Sequence, residues 1–98
     1  MKHTSAYKSL IQYALDKGAT VYVFSGIESW GPSHRFDLIA HRVDLFNAST
    51  LEFYNPEGIE LGWASIIPEL DDNEQVADYG MTPFMEEWLD KFIDGEGP

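Results

Sequence analysis

Carboxylates are the side chains whose number and spacing in this sequence best suggest a chemical role. Seventeen Asp and Glu stand against six Lys and Arg, which gives a net charge of −11 over 98 residues. Residues 1–50 carry a net +1, whereas residues 51–98 carry −12 and contain a single base, Lys91. A field of this sign repels nucleic acids and anionic membranes and attracts basic proteins. The composition therefore argues against direct binding to nucleic acid or membrane and favours a basic protein partner.

Two groups of acids in the C-terminal half could form one charged ridge. Carboxylates three or four residues apart on a helix lie about 5–6 Å from one another, close to the spacing of phosphates along a nucleic-acid strand. Such a ridge could occupy a groove that evolved for DNA or RNA and release the same counterions. The alternative is a solvated face, although solubility alone would be served by scattering the charge. The candidate contact residues are Glu69, Asp71, Asp72, Glu74, Asp78, Glu86, Glu87, Asp90 and Asp94.

Two segments that suggest calcium or nucleotide binding fail on spacing. Residues 71–74 (Asp-Asp-Asn-Glu) look like the start of a calcium loop, but with Asp72 as the first position Val76 stands where an EF-hand needs a ligand, and the next residue is not the required glycine. Residues 26–33 follow a predicted strand as a P-loop would, yet Pro32 occupies the position of the essential lysine. We therefore predict no cofactor.

Catalytic and metal-ligating patterns are equally weak. His34, Asp37 and His41 would share one face of a helix, but they have no further ligand nearby, and local pairing explains them better than a metal site does. The chain contains no cysteine, no HExxH motif and no serine on a nucleophile elbow. Its length leaves little room for a water-excluding pocket beside a core. We predict no metal and no enzymatic activity.

The first and last helices are indicated by apolar periodicity and by their end signals. Apolar residues within 7–14 recur with the helical spacing i, i+3, i+4, i+7, with Thr4 as N-cap and Gly18 as the stop. Pro83–Asp94 forms a helix with Thr82 as N-cap and Pro83 as its first residue. One face of this helix is apolar, and the other carries four of the candidate acids.

The strands are indicated by alternation and by turn residues. Thr20–Phe24 is β-branched and aromatic, which predicts a strand. Thr50–Tyr54 and Ile59–Trp63 alternate apolar and polar residues around the turn Asn55–Gly58, which predicts a hairpin. Its second strand continues through residues 64–67, and a proline at position 68 ends it.

The segment between these elements is ambiguous. Ser25–Pro32 contains two glycines and a proline and is expected to turn. Ser33–Phe46 fits either a strand or a helix, and we favour a helix capped by Ser33. Trp30 could be an interface anchor in a mobile loop or could fold back over the core. The expected architecture is α+β: a small antiparallel sheet packed by about three helices, in the order α-β-α-β-β-α.

Length and composition predict one domain over residues 1–98, with residues 95–98 as a frayed tail. The absence of cysteine fits a reducing compartment. Residues 1–5 are not followed by the apolar stretch of a signal peptide, and no run approaches the roughly 20 apolar residues of a membrane span. These features predict a soluble cytoplasmic protein.

A series of short motifs lies between residues 51 and 88. The motifs are Leu51-x-Phe53-Tyr54-Asn55-x-Glu57-Gly58, Leu61-Gly62-Trp63-Ala64, Ile66-Ile67-Pro68, Val76-Ala77-Asp78-Tyr79 and Pro83-Phe84-Met85-x-x-Trp88. This segment resembles small acidic proteins encoded by bacteriophages and prophages. The motifs cover under half of the chain, and such proteins provide no catalytic residues to transfer. The resemblance implies a phage accessory protein acting in a bacterial host. Among such proteins, acidic domains that imitate DNA to inhibit nucleases or CRISPR effectors form a class by size and charge.

Charge and resemblance together predict a non-enzymatic inhibitor that blocks the basic nucleic-acid-binding groove of a host protein, as an anti-CRISPR or other anti-defence protein. Two alternatives remain open. One is an immunity protein or antitoxin that masks a basic nuclease toxin. The other is a phage structural or assembly module that docks through aromatic surface near Trp30 and Trp63. Ionic strength separates the assembly module from the inhibitor and the immunity protein, because groove mimicry weakens steeply with salt and apolar docking does not.

Overall fold

Three helices and a five-stranded antiparallel sheet make up the fold. It was obtained as a computed structural model, which describes residues 5–93. The sheet order is β2-β1-β3-β4-β5. The α+β class is confirmed, and the predicted elements occur in the predicted order with two further strands, β2 and β5. The elements are α1 Ala6–Asp16, β1 Thr20–Ser25, β2 Glu28–Ser33, α2 Phe36–Asp44, β3 Ser49–Tyr54, β4 Glu60–Ile66, β5 Val76–Tyr79 and α3 Pro83–Ile93.

The core lies between the helices and one face of the sheet. Burial alternates along β1, where Val21 and Val23 are buried and the residues between them are half-buried. The register keeps this alternation in phase across the sheet, because Val21 pairs with Phe53 and Val23 with Leu51. A slip of one residue would turn every apolar side chain away from the helices. The helices contribute Leu10, Ile11, Ile39, Val43, Met85 and Trp88 to the same core.

The β3–β4 hairpin forms as its turn residues predict. Asn55 Oδ1 accepts hydrogen bonds from the backbone N–H groups of Glu57 and Ile59 at 3.0 and 2.9 Å. Gly58 supplies the positive φ, at +83°. A side chain that bonds its own turn in this way stabilises the reversal without help from the rest of the fold.

The ends of α1 and α3 also follow their sequence signals. Gly18 has a φ of +82° directly after α1, as a stop residue should. Thr82 Oγ1 accepts the backbone N–H of Met85 at 3.3 Å and donates to the carbonyl of Leu61 at 2.9 Å, so it caps α3 and ties it to β4. The N-cap position of α1 is Ser5. The predicted cap Thr4 and the predicted tail 95–98 lie outside the described residues.

The segment around Trp30 requires a correction. Residues 28–33, expected to lie mostly in a turn, form β2, in which Trp30 pairs with Val23 and packs half-buried against the core. The predicted helix is confirmed, but Ser33 does not cap it. Ser33 ends β2, its Oγ accepts the backbone N–H of Arg35 at 3.2 Å, and Arg35 occupies the cap position without a side-chain bond. Gly31 and Pro32 are accommodated by an irregularity in the β1–β2 register, which local sequence signals do not reveal, whereas Gly26 lies in the turn between the two strands.

Candidate functional site

The first group of candidate acids lies in the loop between β4 and β5. Glu69, Asp71, Asp72 and Glu74 are all exposed there. The loop is tied to α1, because the backbone N–H of Ala6 donates to the carbonyl of Asp72 at 2.8 Å. These acids therefore lie on an anchored segment.

A buried glutamine holds the base of this loop. Gln75 is 6 % exposed, and its Nε2 donates to the carbonyl of Pro68 at 3.1 Å, which closes the loop on itself. Its Oε1 accepts the hydroxyl of Ser5. The backbone N–H of Ile67 donates to the carbonyl of Gln75 at 2.8 Å. Two of these bonds fix the two ends of the acidic loop relative to each other, and the bond from Ser5 ties the loop to the start of α1.

The acids of α3 divide between two edges of the helix. Glu86 and Asp90 are exposed, four residues apart, and therefore neighbours on the helix surface. Glu87 points towards α1, where it pairs with Lys17 at 2.7 Å and accepts the hydroxyl of Tyr13 at 2.7 Å. Two hydrogen bonds lower the pKa of the Glu87 carboxyl: the larger effect comes from the Lys17 ammonium and the smaller from the Tyr13 hydroxyl. Much of the charge of Glu87 is therefore already compensated within the fold.

The structure separates Asp78 and Trp30 from the other candidate residues. Asp78 pairs with Ser65 of β4, on the face of the sheet turned away from the helices. Trp30 lies on β2, at the opposite margin of the sheet from β5. Asp94 lies outside the described residues.

Six of the candidate acids lie either in the loop between β4 and β5 or on the solvent-exposed side of α3. All six are exposed, and none forms an ion pair with a residue in the described range 5–93. The ion pairs found in that range are Lys17–Glu87, Arg35–Asp37 and Arg42–Glu28. The charge of these six is therefore not compensated by an ion pair within residues 5–93. We call them the acidic surface: Glu69, Asp71, Asp72, Glu74, Glu86 and Asp90.

An apolar groove of about 410 Å³ lies beside the acidic surface, between β5 and α3. Asn73 of the acidic loop lines one end, between Asp72 and Glu74 in the chain. Leu89, which precedes Asp90, lines the helix side, and Ile93 is 70 % exposed. A partner could therefore place basic residues against the carboxylates and an apolar residue in the groove. The other lining residues are Val76, Tyr79, Trp88 and Phe92.

A second surface was not anticipated from the sequence. Tyr22, Phe24, Glu52 and Tyr54 lie on the face of the sheet opposite the helices and line a groove of about 420 Å³. The alternation of β1 and β3 contains the signal, since Tyr22 and Phe24 of β1 and Tyr54 of β3 all fall on the side that does not enter the core. Which side of the sheet the helices cover must be known before that signal can be interpreted.

Trp63 lies on the same face but outside this groove. It pairs with Glu52, and its indole covers Gly80, where an added Cβ would lie 2.4 Å from Nε1. A side chain at position 80 would therefore displace the indole.

Residues 5–93 contain neither a metal-binding cluster nor a membrane-spanning helix. No group of three or more His, Asp or Glu there is arranged to hold a metal ion, and Asp37 pairs with Arg35 at 3.1 Å. No helix in that range is long and apolar enough to cross a membrane. Comparisons with protein-family models, curated proteins and solved structures found no match.

Proposed function

We propose that this protein is a non-enzymatic inhibitor whose acidic surface binds the basic nucleic-acid-binding groove of a host protein. The most specific form of this proposal is an anti-CRISPR or other anti-defence protein. The observation that supports it is the set of six exposed carboxylates without an ion-pair partner among residues 5–93. When such a surface docks on a basic groove, counterions are released as they are from DNA.

The mechanism is steric and electrostatic and requires no chemistry. Unpaired surface carboxylates speed the encounter with a basic protein, whereas apolar contacts in the neighbouring groove slow dissociation. The hydrogen bonds of Ala6 and Gln75 hold the acidic loop before binding. Preorganisation of this kind lowers the entropy that is lost when the complex forms.

The test is capture of partners from bacterial lysate at low and high salt, followed by measurement of affinity for the recovered protein. We expect a nucleic-acid-binding protein that is released by salt and competed by duplex DNA. Glu74→Lys combined with Asp90→Lys should weaken its binding at least about tenfold, mainly through the association rate. Lysine at position 90 would also pair with Glu86, four residues before it, and so remove part of that charge.

The matched control is Asp16→Lys combined with Glu57→Lys, which changes the net charge equally at exposed positions away from the acidic surface. It should reduce affinity much less. Equal losses in the two variants would mean that only total charge matters, and full affinity in the first would contradict the proposal. Recovery of a nuclease toxin as the target would instead indicate an immunity protein or antitoxin, which uses the same physical mechanism.

The apolar groove favours a second candidate, a structural or assembly module. The exposed Ile93 at its edge and the buried Trp88 at its base are suited to an apolar anchor from another protein. This candidate would be established by a partner whose binding persists at high salt. Ile93→Glu should abolish that binding, whereas Glu74→Lys combined with Asp90→Lys should leave it intact. The acidic surface would then serve solubility alone.

A further inference from the structure

The groove on the open face of the sheet has aromatic walls. Tyr22 lies at its centre, with the Tyr54 ring edge-on at 5.4 Å and the Phe24 ring stacked at 6.1 Å between centroids. All three rings are half-buried, so part of each remains accessible. The Asn55–Gly58 turn and Pro32 of β2 complete the groove. The arrangement presents the π face and edges of several rings to one ligand-sized space.

A carboxylate lies in the same groove. Glu52 pairs with Tyr22 across the sheet, so the two side chains stand next to each other on this face. The Tyr54 hydroxyl donates to Glu52 Oε1 at 2.6 Å, which orients the carboxylate, and this bond raises the pKa of Tyr54 to about 12. The other carboxylate oxygen, Glu52 Oε2, accepts no hydrogen bond and forms no ion pair with any residue between 5 and 93.

We propose that this groove binds the guanidinium group of an arginine side chain from a partner protein. The guanidinium stacks on the Tyr22 ring, which attracts a cation through its quadrupole, and donates to the free oxygen of Glu52. Arginine fits better than lysine, because its planar group can stack and pair at the same time, whereas an ammonium is a strongly hydrated point charge. The fixed position of Glu52 makes the site selective for that planar group.

The charges around the groove argue against a nucleobase as the occupant. Aromatic residues on a sheet also stack the bases of single-stranded RNA and DNA, but such surfaces carry basic residues for the phosphates. Among the described lining residues, Glu52 is the only one with a charge. The net charge of −11 opposes a polyanion further.

The arginine site is independent of the proposed inhibitor function. It lies on the face of the sheet opposite the helices, whereas Glu86 and Asp90 of the acidic surface lie on α3. Either surface can therefore bind a partner without the other. Glu52→Gln tests the arginine site, whereas Glu74→Lys combined with Asp90→Lys tests the acidic surface.

The test is a titration of the full-length protein with blocked Gly-Arg-Gly, followed by NMR of the backbone amides and tyrosine rings. The matched ligands are blocked Gly-Lys-Gly and blocked Gly-citrulline-Gly, since citrulline keeps the shape of arginine and loses its charge. We expect saturable shifts centred on Tyr22 and Tyr54 with the arginine peptide. Affinity should be at least about fivefold weaker for the lysine peptide and tenfold weaker for the citrulline peptide.

Two variants locate the binding. Glu52→Gln keeps an acceptor for the Tyr54 hydroxyl but removes the negative charge. It should lower the affinity for the arginine peptide at least about tenfold. Glu74→Gln changes the net charge equally on the acidic surface and should leave the affinity unchanged within about twofold. Equal affinity for arginine and lysine, equal losses in the two variants, or tighter binding of oligouridylate would each overturn the proposal. Loss of arginine binding would leave the partner-capture result for the acidic surface unaffected.

Discussion

At the level of single residues, one buried hydrogen bond joins the two ends of the described chain. Trp88 of α3 donates its indole N–H to Ser9 Oγ of α1 at 3.1 Å, with exposed fractions of 2 % and 0 %. Polar groups buried to this degree are costly when they lose their partner. The contact therefore links the packing of α3, which carries part of the acidic surface, to the first helix.

Ser9→Ala should lower the free energy of unfolding by about 1–3 kcal/mol, because the indole N–H of Trp88 would remain buried without an acceptor. Urea denaturation followed by circular dichroism measures the change. Trp88→Phe removes the donor, so the double variant should be less destabilised than the sum of the two single variants. A neutral Ser9→Ala substitution would show that water or a shifted side chain replaces the serine.

Tyr54 should report on the groove of the open face through its ionisation. Its hydrogen bond to Glu52 raises its pKa to about 12, so Glu52→Ala, which removes the acceptor, should move that pKa back towards the ordinary tyrosine value of 10.0. A raised pKa in the folded state stabilises the protein below the unfolded pKa, and this contribution is lost as the pH rises from about 10 to 12. Tyrosinate formation followed by NMR of the ring carbons measures the shift. An unchanged Tyr54 pKa in the variant would contradict the bond.

At the level of elements, β2 depends on one glycine. Gly31 has a φ of +112°, and an added Cβ would lie 2.7 Å from the carbonyl oxygen of Val21, which is backbone and cannot rotate away. Gly31→Ala should therefore destabilise the protein by about 1–3 kcal/mol and weaken hydrogen-exchange protection along β1 and β2. Gly26→Ala is the control, because its φ of +62° is unfavourable but its Cβ would meet nothing within 4 Å. Equal costs at the two positions would contradict the steric argument.

The elements that were predictable carry their own end signals. Asn55 bonds its own turn, and Thr82 caps the helix that follows it, so both features are encoded within a few residues. β2 and β5 carry no comparable signal. β2 pairs through an irregular register, and β5 is a strand of four residues that forms against β4. Such strands are specified by their neighbours in space, which local sequence does not identify.

The excess of charge could be predicted from the sequence, but which residues lie together on the folded surface could not. The excess of acids in residues 51–98 indicated the acidic surface without structural information. The pairing of Glu87 with Lys17 depends on how α1 and α3 pack, and the placement of Asp78 depends on the face that β5 presents. The open-face groove around Tyr22 depends on which side of the sheet the helices cover.

At the level of the whole molecule, the unpaired carboxylates should make stability depend on salt. Raising sodium chloride from about 0.01 M to about 1 M shortens the screening length from about 30 Å to about 3 Å and reduces self-repulsion. The melting temperature should therefore rise with salt, and it should rise less for Glu74→Lys combined with Asp90→Lys. Differential scanning calorimetry measures both. A melting temperature that falls with salt would mean that the ion pairs outweigh the repulsion.

The two outer strands of the sheet determine how the protein can meet other copies of itself. β2 contains Pro32, which has no N–H to donate, and its pairing with β1 is irregular. β5 is short, and its central residues include the charged Asp78. Edge strands of this kind are poor templates for the addition of a further strand. The fold should thus resist growth into fibrils at high concentration, and its associations should use side-chain surfaces in place of backbone pairing.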